Sequence, residues 1–263
     1  MKIRTNGIEL NYSVEGNGPC IVMSHSIACN LGMWDAQVQA LSRNYKVLRF
    51  DSRGHGASSA PEGQYTMEAM AEDVKGMLDG LGISKCIWVG LSMGGMIGQA
   101  LAVRYPGLFS AMVLADTASR YGADVLPMWE ARIKSVREQG MEPQVEPTLA
   151  RWFTAGFRTK RPDVMARISE MIRTTPAIGF AGCCHAVPRI NFTDGLKKVT
   201  CPTLVVIGDE DKSTPIEAAR EIQNAISGAQ LVTIASASHL SSVEQPEAFN
   251  KAVTEFLGKL NLQ

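Results

Sequence analysis

Gly90-Leu91-Ser92-Met93-Gly94-Gly95, within WVGLSMGGMIG (residues 88–98), is the stretch on which the reading of this chain turns. The apolar run KCIWVG (85–90) feeds it, and GGMIGQALAVRYP (94–106) leaves it as a helix that stops before Pro106. A serine between a strand and a helix, with a glycine two places to either side, fits a nucleophile elbow. The sharp turn strains the serine backbone, and Gly90 and Gly94 carry no side chain to collide with it. The first N–H groups of the helix have no intrahelical partner and point where negative charge would develop on a reacting acyl group. A phosphate-cradling loop is the competing reading. It requires G-x-x-x-x-G-K-[ST], but no lysine follows these glycines, and G-x-G-x-x-G fails on spacing.

Outward from the elbow, strands and helices alternate. CIVMSHS (20–26), YKVLRFD (45–51), SAMVLAD (110–116), PTLVVIGDED (202–211) and AQLVTIAS (229–236) are short apolar runs ending in polar residues. Such runs suit strands of a parallel sheet covered on both faces. Near the N-terminus Ile8, Leu10 and Tyr12 alternate with polar residues after an Asn6-Gly7 turn, which reads as an antiparallel edge. TMEAMAEDVKGMLDGLG (66–82) places Met67, Met70, Val74, Met77, Leu78 and Leu81 at helical spacing, capped by Thr66 and stopped by Gly82. Pro246 opens the last helix. The expectation is an α/β domain with helices on both faces of its sheet. One section, residues 121–192, contains helical patterns and no clear strand. It is expected to form a helical lid on a core made of residues 1–120 and 193–263.

The totals exclude several classes. Among 263 residues the formal net charge is +0, which leaves no basic surface for nucleic acid. No run reaches the roughly 18 apolar residues of a membrane span, and the N-terminus has no signal-peptide pattern. Cysteines 20, 29, 86, 183, 184 and 201 form no C-x-x-C pair and no metal-ligand spacing. They read as reduced, small apolar residues of a cytoplasmic protein that holds no metal.

A serine hydroxyl is a weak nucleophile and needs a base. Of the four histidines, His239 follows the last predicted strand, at the same sheet edge as Ser92. It needs a carboxylate to fix its tautomer. Asp209, Glu210 and Asp211 end the preceding strand; Asp211 is preferred over Asp209, with Asp116 in reserve. The oxyanion donors are the backbone N–H groups of Met93 and Ile27. His25 is expected to bond its own loop's backbone, Arg53 and His55 to stabilise a turn, and His185 has no identifiable partner. Trp34, Met128, Trp129, Trp152 and Phe153 are candidates for an apolar pocket wall.

SHSIACNLGMW (24–34), DSRGHGASS (51–59), GLSMGG (90–95), GDEDKSTP (208–215) and SHLSSVEQPEAFN (238–250) together resemble the α/β-hydrolase fold family over nearly the whole chain. The resemblance implies a mostly parallel eight-stranded sheet with a helical lid, and an acid from G-x-x-D, which matches Gly208 and Asp211. Within that family GMWDAQ (32–37), RWFTAGFR (151–158) and GFAGCCHAV (179–187) are similar to the 3-oxoadipate enol-lactonases. This implies a cofactor-free hydrolase of a small lactone with a free carboxylate, in aromatic-compound breakdown. A lid arginine would pair with that carboxylate: Arg132, Arg151, Arg158 or Arg189. Pro188 stands where those enzymes tend to have an arginine, with Arg189 one place later. A broad carboxylesterase or perhydrolase, a carbon–carbon hydrolase of ring-cleavage products, and a non-enzymatic ligand receptor are the alternatives.

Overall fold

The computed structural model of the chain describes residues 1–260, so the last three residues of the expected 193–263 core segment lie outside the described part. The apolar runs form one eight-stranded sheet in the order β1-β2-β4-β3-β5-β6-β7-β8. Its strands are β1 (Lys2–Thr5), β2 (Ile8–Glu15), β3 (Cys20–Ser24), β4 (Lys46–Phe50), β5 (Cys86–Leu91), β6 (Phe109–Ala115), β7 (Thr203–Gly208) and β8 (Gln230–Ile234). β2 runs antiparallel to both β1 and β4, and every other pairing is parallel. Asn6 and Gly7 both have positive φ and close the β1–β2 hairpin, the backbone that a two-residue turn of this hand requires. β5 and β7 are buried at every position, which is why they read as continuous apolar runs rather than alternating ones.

The helices are α1 (Asp35–Leu41), α2 (Met67–Gly80), α3 (Met93–Arg104), α4 (Leu126–Gln139), α5 (Val145–Trp152), α6 (Ala155–Lys160), α7 (Pro162–Thr174), α8 (Ala177–Ala186), α9 (Thr193–Leu196), α10 (Ile216–Ala225), α11 (Ser241–Glu244) and α12 (Pro246–Gly258). α2, α3, α9 and α10 cover one face of the sheet; α1, α11 and α12 pack together on the other. The Thr66 hydroxyl accepts from Ala69 N and caps α2, and Gly82 ends it at a φ of 68°. Between β6 and β7 the chain is helical from α4 to α8. A lone bridge between Arg120 and Asn191 brings the two ends of this insertion side by side. Within it α4 packs on α8 and α5 on α7, around buried Ile133, Leu149, Ile168 and Ile172. All six cysteines are free.

β5 ends at Leu91 and α3 begins at Met93, leaving Ser92 alone in the turn at φ 54° and ψ −114°. The glycines around it are dictated by contact. A Cβ on Gly90 would lie 2.3 Å from the Gly94 carbonyl oxygen, and one on Gly94 would lie 2.0 Å from that of Ser24. Both obstacles are backbone atoms and cannot rotate away. Trp88 Nε1 donates to the Gly94 carbonyl at 3.1 Å and ties the strand to the first turn of the helix. Gly94→Ala is therefore expected to destabilise the fold by about 1–3 kcal/mol in denaturant titrations. Gly156→Ala, where an added Cβ meets open space in α6, is the matched control and should leave stability unchanged or slightly raised.

Candidate active site

The carboxyl ends of β5, β7 and β8 bring Ser92, Asp211 and His239 together. His239 Nε2 lies 2.9 Å from Ser92 Oγ, and its Nδ1 lies 2.9 Å from Asp211 Oδ2. An ionised carboxylate only accepts, so the proton sits on Nδ1 and the Nε2 lone pair faces the serine hydroxyl. Burial opposes charge on His239, but Asp211 outweighs it by charge and hydrogen bond, so the imidazole pKa is raised. Burial likewise works against ionised Asp211. His239 and the Thr214 hydroxyl and N–H outweigh it, so the carboxyl is lowered. Thr214 Oγ1 donates to Oδ2 at 2.6 Å, while the N–H groups of Ser213 and Thr214 fill Oδ1 at 2.7 and 3.1 Å.

Neither rival carboxylate takes this place. Asp209 accepts from Ala237 N at 3.2 Å. Asp116, fully buried at the end of β6, spends both oxygens on other partners. Gly208 N donates to one at 2.9 Å, and Ser241 Oγ to the other at 2.5 Å. It thereby links the strand end before Asp211 to the loop after His239. Burial first, and Asp211 second, pushes its carboxyl well above the usual range.

The β3 loop that carries Ile27 is pinned by two histidines. His25 Nε2 accepts from Ser52 N at 3.0 Å, so its protonated Nδ1 donates to the Ser26 carbonyl at 2.7 Å. His55 Nε2 accepts from Ala28 N at 2.9 Å, and its Nδ1 donates to the Arg53 carbonyl at 3.1 Å. Both rings are thus neutral, and burial lowers both pKa values, that of His55 to about 3. Arg53 makes a two-pronged ion pair with Asp73 of α2, at 2.6 and 2.7 Å. The N–H groups of Ile27 and Met93 have no hydrogen-bond acceptor among the described residues.

A cavity of about 170 Å³ opens onto Ser92 and His239. Trp129, Trp152, Phe180 and Val187 give it an apolar wall, and Met128 reaches it from an exposed position. Arg132 and Arg151 line it half-buried, and neither has a carboxylate partner among the described residues. Arg132 lies 4.6 Å from the centre of the Trp129 ring. Burial lowers both guanidinium pKa values, that of Arg151 to about 10 with Arg132 adding to the effect.

Other sequence candidates lie elsewhere. Trp34 ends a short helical turn that directs it inward, where it is fully buried against Phe249 and does not line the cavity. Phe153 is buried and stacks on Phe157. Arg189 follows α8 in a turn that points outward, where it donates to the His185 carbonyl at 2.8 Å. Arg158 is also off the cavity wall. Tyr121, Phe180, Val187 and Lys212 line the cavity without having been singled out in the sequence. Ser213 and Thr214 could have been found, because an aspartate followed by hydroxyl residues two and three places on is a side-chain-to-backbone turn signal. Among the described residues no group of three or more His, Cys, Asp or Glu gathers as metal ligands would.

Chemically, the imidazole can take the serine proton as the oxygen attacks a carbonyl, and Asp211 can balance the imidazolium that results. Comparison with known proteins agrees with a hydrolytic site of this kind. The description "alpha/beta hydrolase fold" matches residues 19–246. The 3-oxoadipate enol-lactonase 2 of Acinetobacter baylyi is 36% identical over 256 residues, 97% of this chain and 95% of that protein. The solved enol-lactonase from Burkholderia xenovorans LB400 superposes with a TM-score of 0.94 at 38% identity, covering 98% of this chain and 100% of that one. A thermophilic esterase from Thermogutta terrifontis, solved with malate bound, gives a TM-score of 0.93 at 32% identity and covers 98% of each chain. With its sheet order, its strained serine turn and these relatives, the chain belongs to the α/β-hydrolase fold family.

Proposed function

We propose that the protein is a serine hydrolase of small esters or lactones that carry a carboxylate, with 3-oxoadipate enol-lactone as its substrate in aromatic-compound breakdown. The observation that carries this reading is the pair Arg132 and Arg151. Two desolvated cations without a counter-ion, on the wall of a cavity that ends at a serine, form a receptor for an anionic acyl compound. The insertion of residues 121–192 supplies both and acts as a lid on the core of residues 1–120 and 193–263.

In this mechanism the substrate carboxylate docks on the guanidiniums and the apolar wall orients the ring. His239 takes the Ser92 proton, and Ser92 attacks the ester carbonyl. The N–H groups of Ile27 and Met93 receive the oxyanion; as it collapses, the ring carbon–oxygen bond breaks, the His239 imidazolium gives its proton to the departing enol oxygen, and an acyl-enzyme is left. His239 then activates water, whose attack releases the acid and restores Ser92. Asp211 keeps the imidazole proton on Nδ1 throughout. No cofactor takes part in this scheme. A broader carboxylesterase is the second reading, supported by the apolar wall and the likeness to the Thermogutta esterase.

Four outcomes test the assignment. Ser92→Ala should abolish turnover of the enol-lactone, and normal turnover in that variant would overturn the mechanism. Arg132→Gln and Arg151→Gln should each raise KM for the enol-lactone roughly 10–150-fold, from about 1.5–3 kcal/mol per charged hydrogen bond, and hardly alter KM for a neutral ester. Equal effects on both substrates would leave only the broad esterase. The pH dependence has a definite sign. His239 works neutral and its pKa is raised, so kcat/KM should fall as pH drops through a value above the ordinary ~6.5. Asp211→Asn should lower kcat by orders of magnitude and move that acid limb to lower pH.

A further inference from the structure

We propose that Glu244 is a positioning residue that holds the anion-binding wall and the histidine loop together as one body. The inference rests on the roles proposed for Arg151 and His239.

Glu244 ends α11 and is buried. One carboxylate oxygen, Oε1, accepts from Thr154 N at 3.0 Å and from Thr154 Oγ1 at 2.5 Å. The other, Oε2, accepts from Ser238 N at 2.9 Å. Thr154 lies two residues after Trp152 and three after Arg151, both on the cavity wall. Ser238 immediately precedes His239. A single side chain therefore spans from the end of α5 to the residue before the base.

Two further bonds run between the same segments. Ser238 Oγ donates to the Arg151 carbonyl at 3.0 Å, and Leu240 N donates to the Trp152 carbonyl at 3.2 Å. Both neighbours of His239 are thus tied to the two wall residues. The Trp152 and His239 rings lie 6.3 Å apart, so a shift of one segment reaches the imidazole directly.

The chemistry of the contact requires a carboxylate. Every group that meets Glu244 there is a donor, and an ionised carboxylate only accepts. A glutamine has the same shape but must turn its NH₂ toward either Ser238 N–H or the Thr154 donors. That leaves a buried donor facing a donor, and the two segments move apart. The base then loses its aim at Ser92, and Arg151 loses its place on the wall.

A purely stabilising role would lower Tm and nothing else, so the test reads geometry at both ends of the strut. A fluorophosphonate probe reports how fast Ser92 reacts with the help of His239, whatever the natural substrate is. Monomethyl glutarate against methyl pentanoate reports the anion wall. In Glu244→Gln, checked as folded by circular dichroism, Ser92 labelling should slow about tenfold, and KM for monomethyl glutarate should rise about tenfold. These are modest losses beside the roughly 100-fold that a 1 Å misplacement can cause. Thr154→Val should move both in the same direction by less, and Thr154→Ser should match the wild type. Thr154→Val carries the test if Glu244→Gln does not fold. Folded variants with both readouts within about twofold of wild type would overturn the proposal. Failure of the wild type itself to label would instead remove the Ser92–His239 reading, and a wild type indifferent to the carboxylate would remove the role of Arg151.

Discussion

The architecture depends on one unfavourable backbone conformation. Ser92 sits at positive φ, where a side chain normally costs energy, because the chain must reverse from β5 into α3 within one residue. Gly90, Gly94 and the Trp88 indole form the space in which that reversal can happen. The same reversal aims the open N-terminus of α3 at the serine and points the serine out of the sheet. Strain, the small residues and the electrostatics of the turn are thus consequences of a single geometric demand, met by the rigid strands on either side.

Against this fixed serine, the other groups come from loops that need their own supports. His239 lies between two buried carboxylates. Asp116 fixes Ser241 on its far side from the core, and Glu244 fixes Ser238 on its near side from the insertion. The β3 loop rests on His25 and His55, each with both ring nitrogens occupied. Buried polar groups are costly unless satisfied, and here the satisfaction is spent on aiming loops rather than on filling the core.

Much of this was legible in the sequence, and the reason is positional. Ser92, Asp211 and His239 each follow an apolar run, so their strands could be read and their common sheet edge inferred. Asp211 was singled out by the resemblance to the α/β-hydrolase family, whose G-x-x-D matches Gly208 and Asp211. The cavity wall was less legible because it is built on the insertion, where helices pack on helices and tertiary contacts decide which side faces inward. Trp34 and Trp129 are alike in type, yet one is sealed against Phe249 and the other lines the cavity. Arg151 and Arg189 differ in the same way. Glu244 left no local sign, since its partners lie 6 and 90 residues away.

The unpaired guanidiniums have a thermodynamic side as well. Arg132 and Arg151 repel each other in a partly dry cavity, and folding must bear that repulsion whenever the cavity holds no anion. In the proposed function, a small carboxylate that enters relieves it in the folded chain and has no such pair to meet in the unfolded one. That function links the stability of the fold to the concentration of dissolved carboxylate, reactive or not.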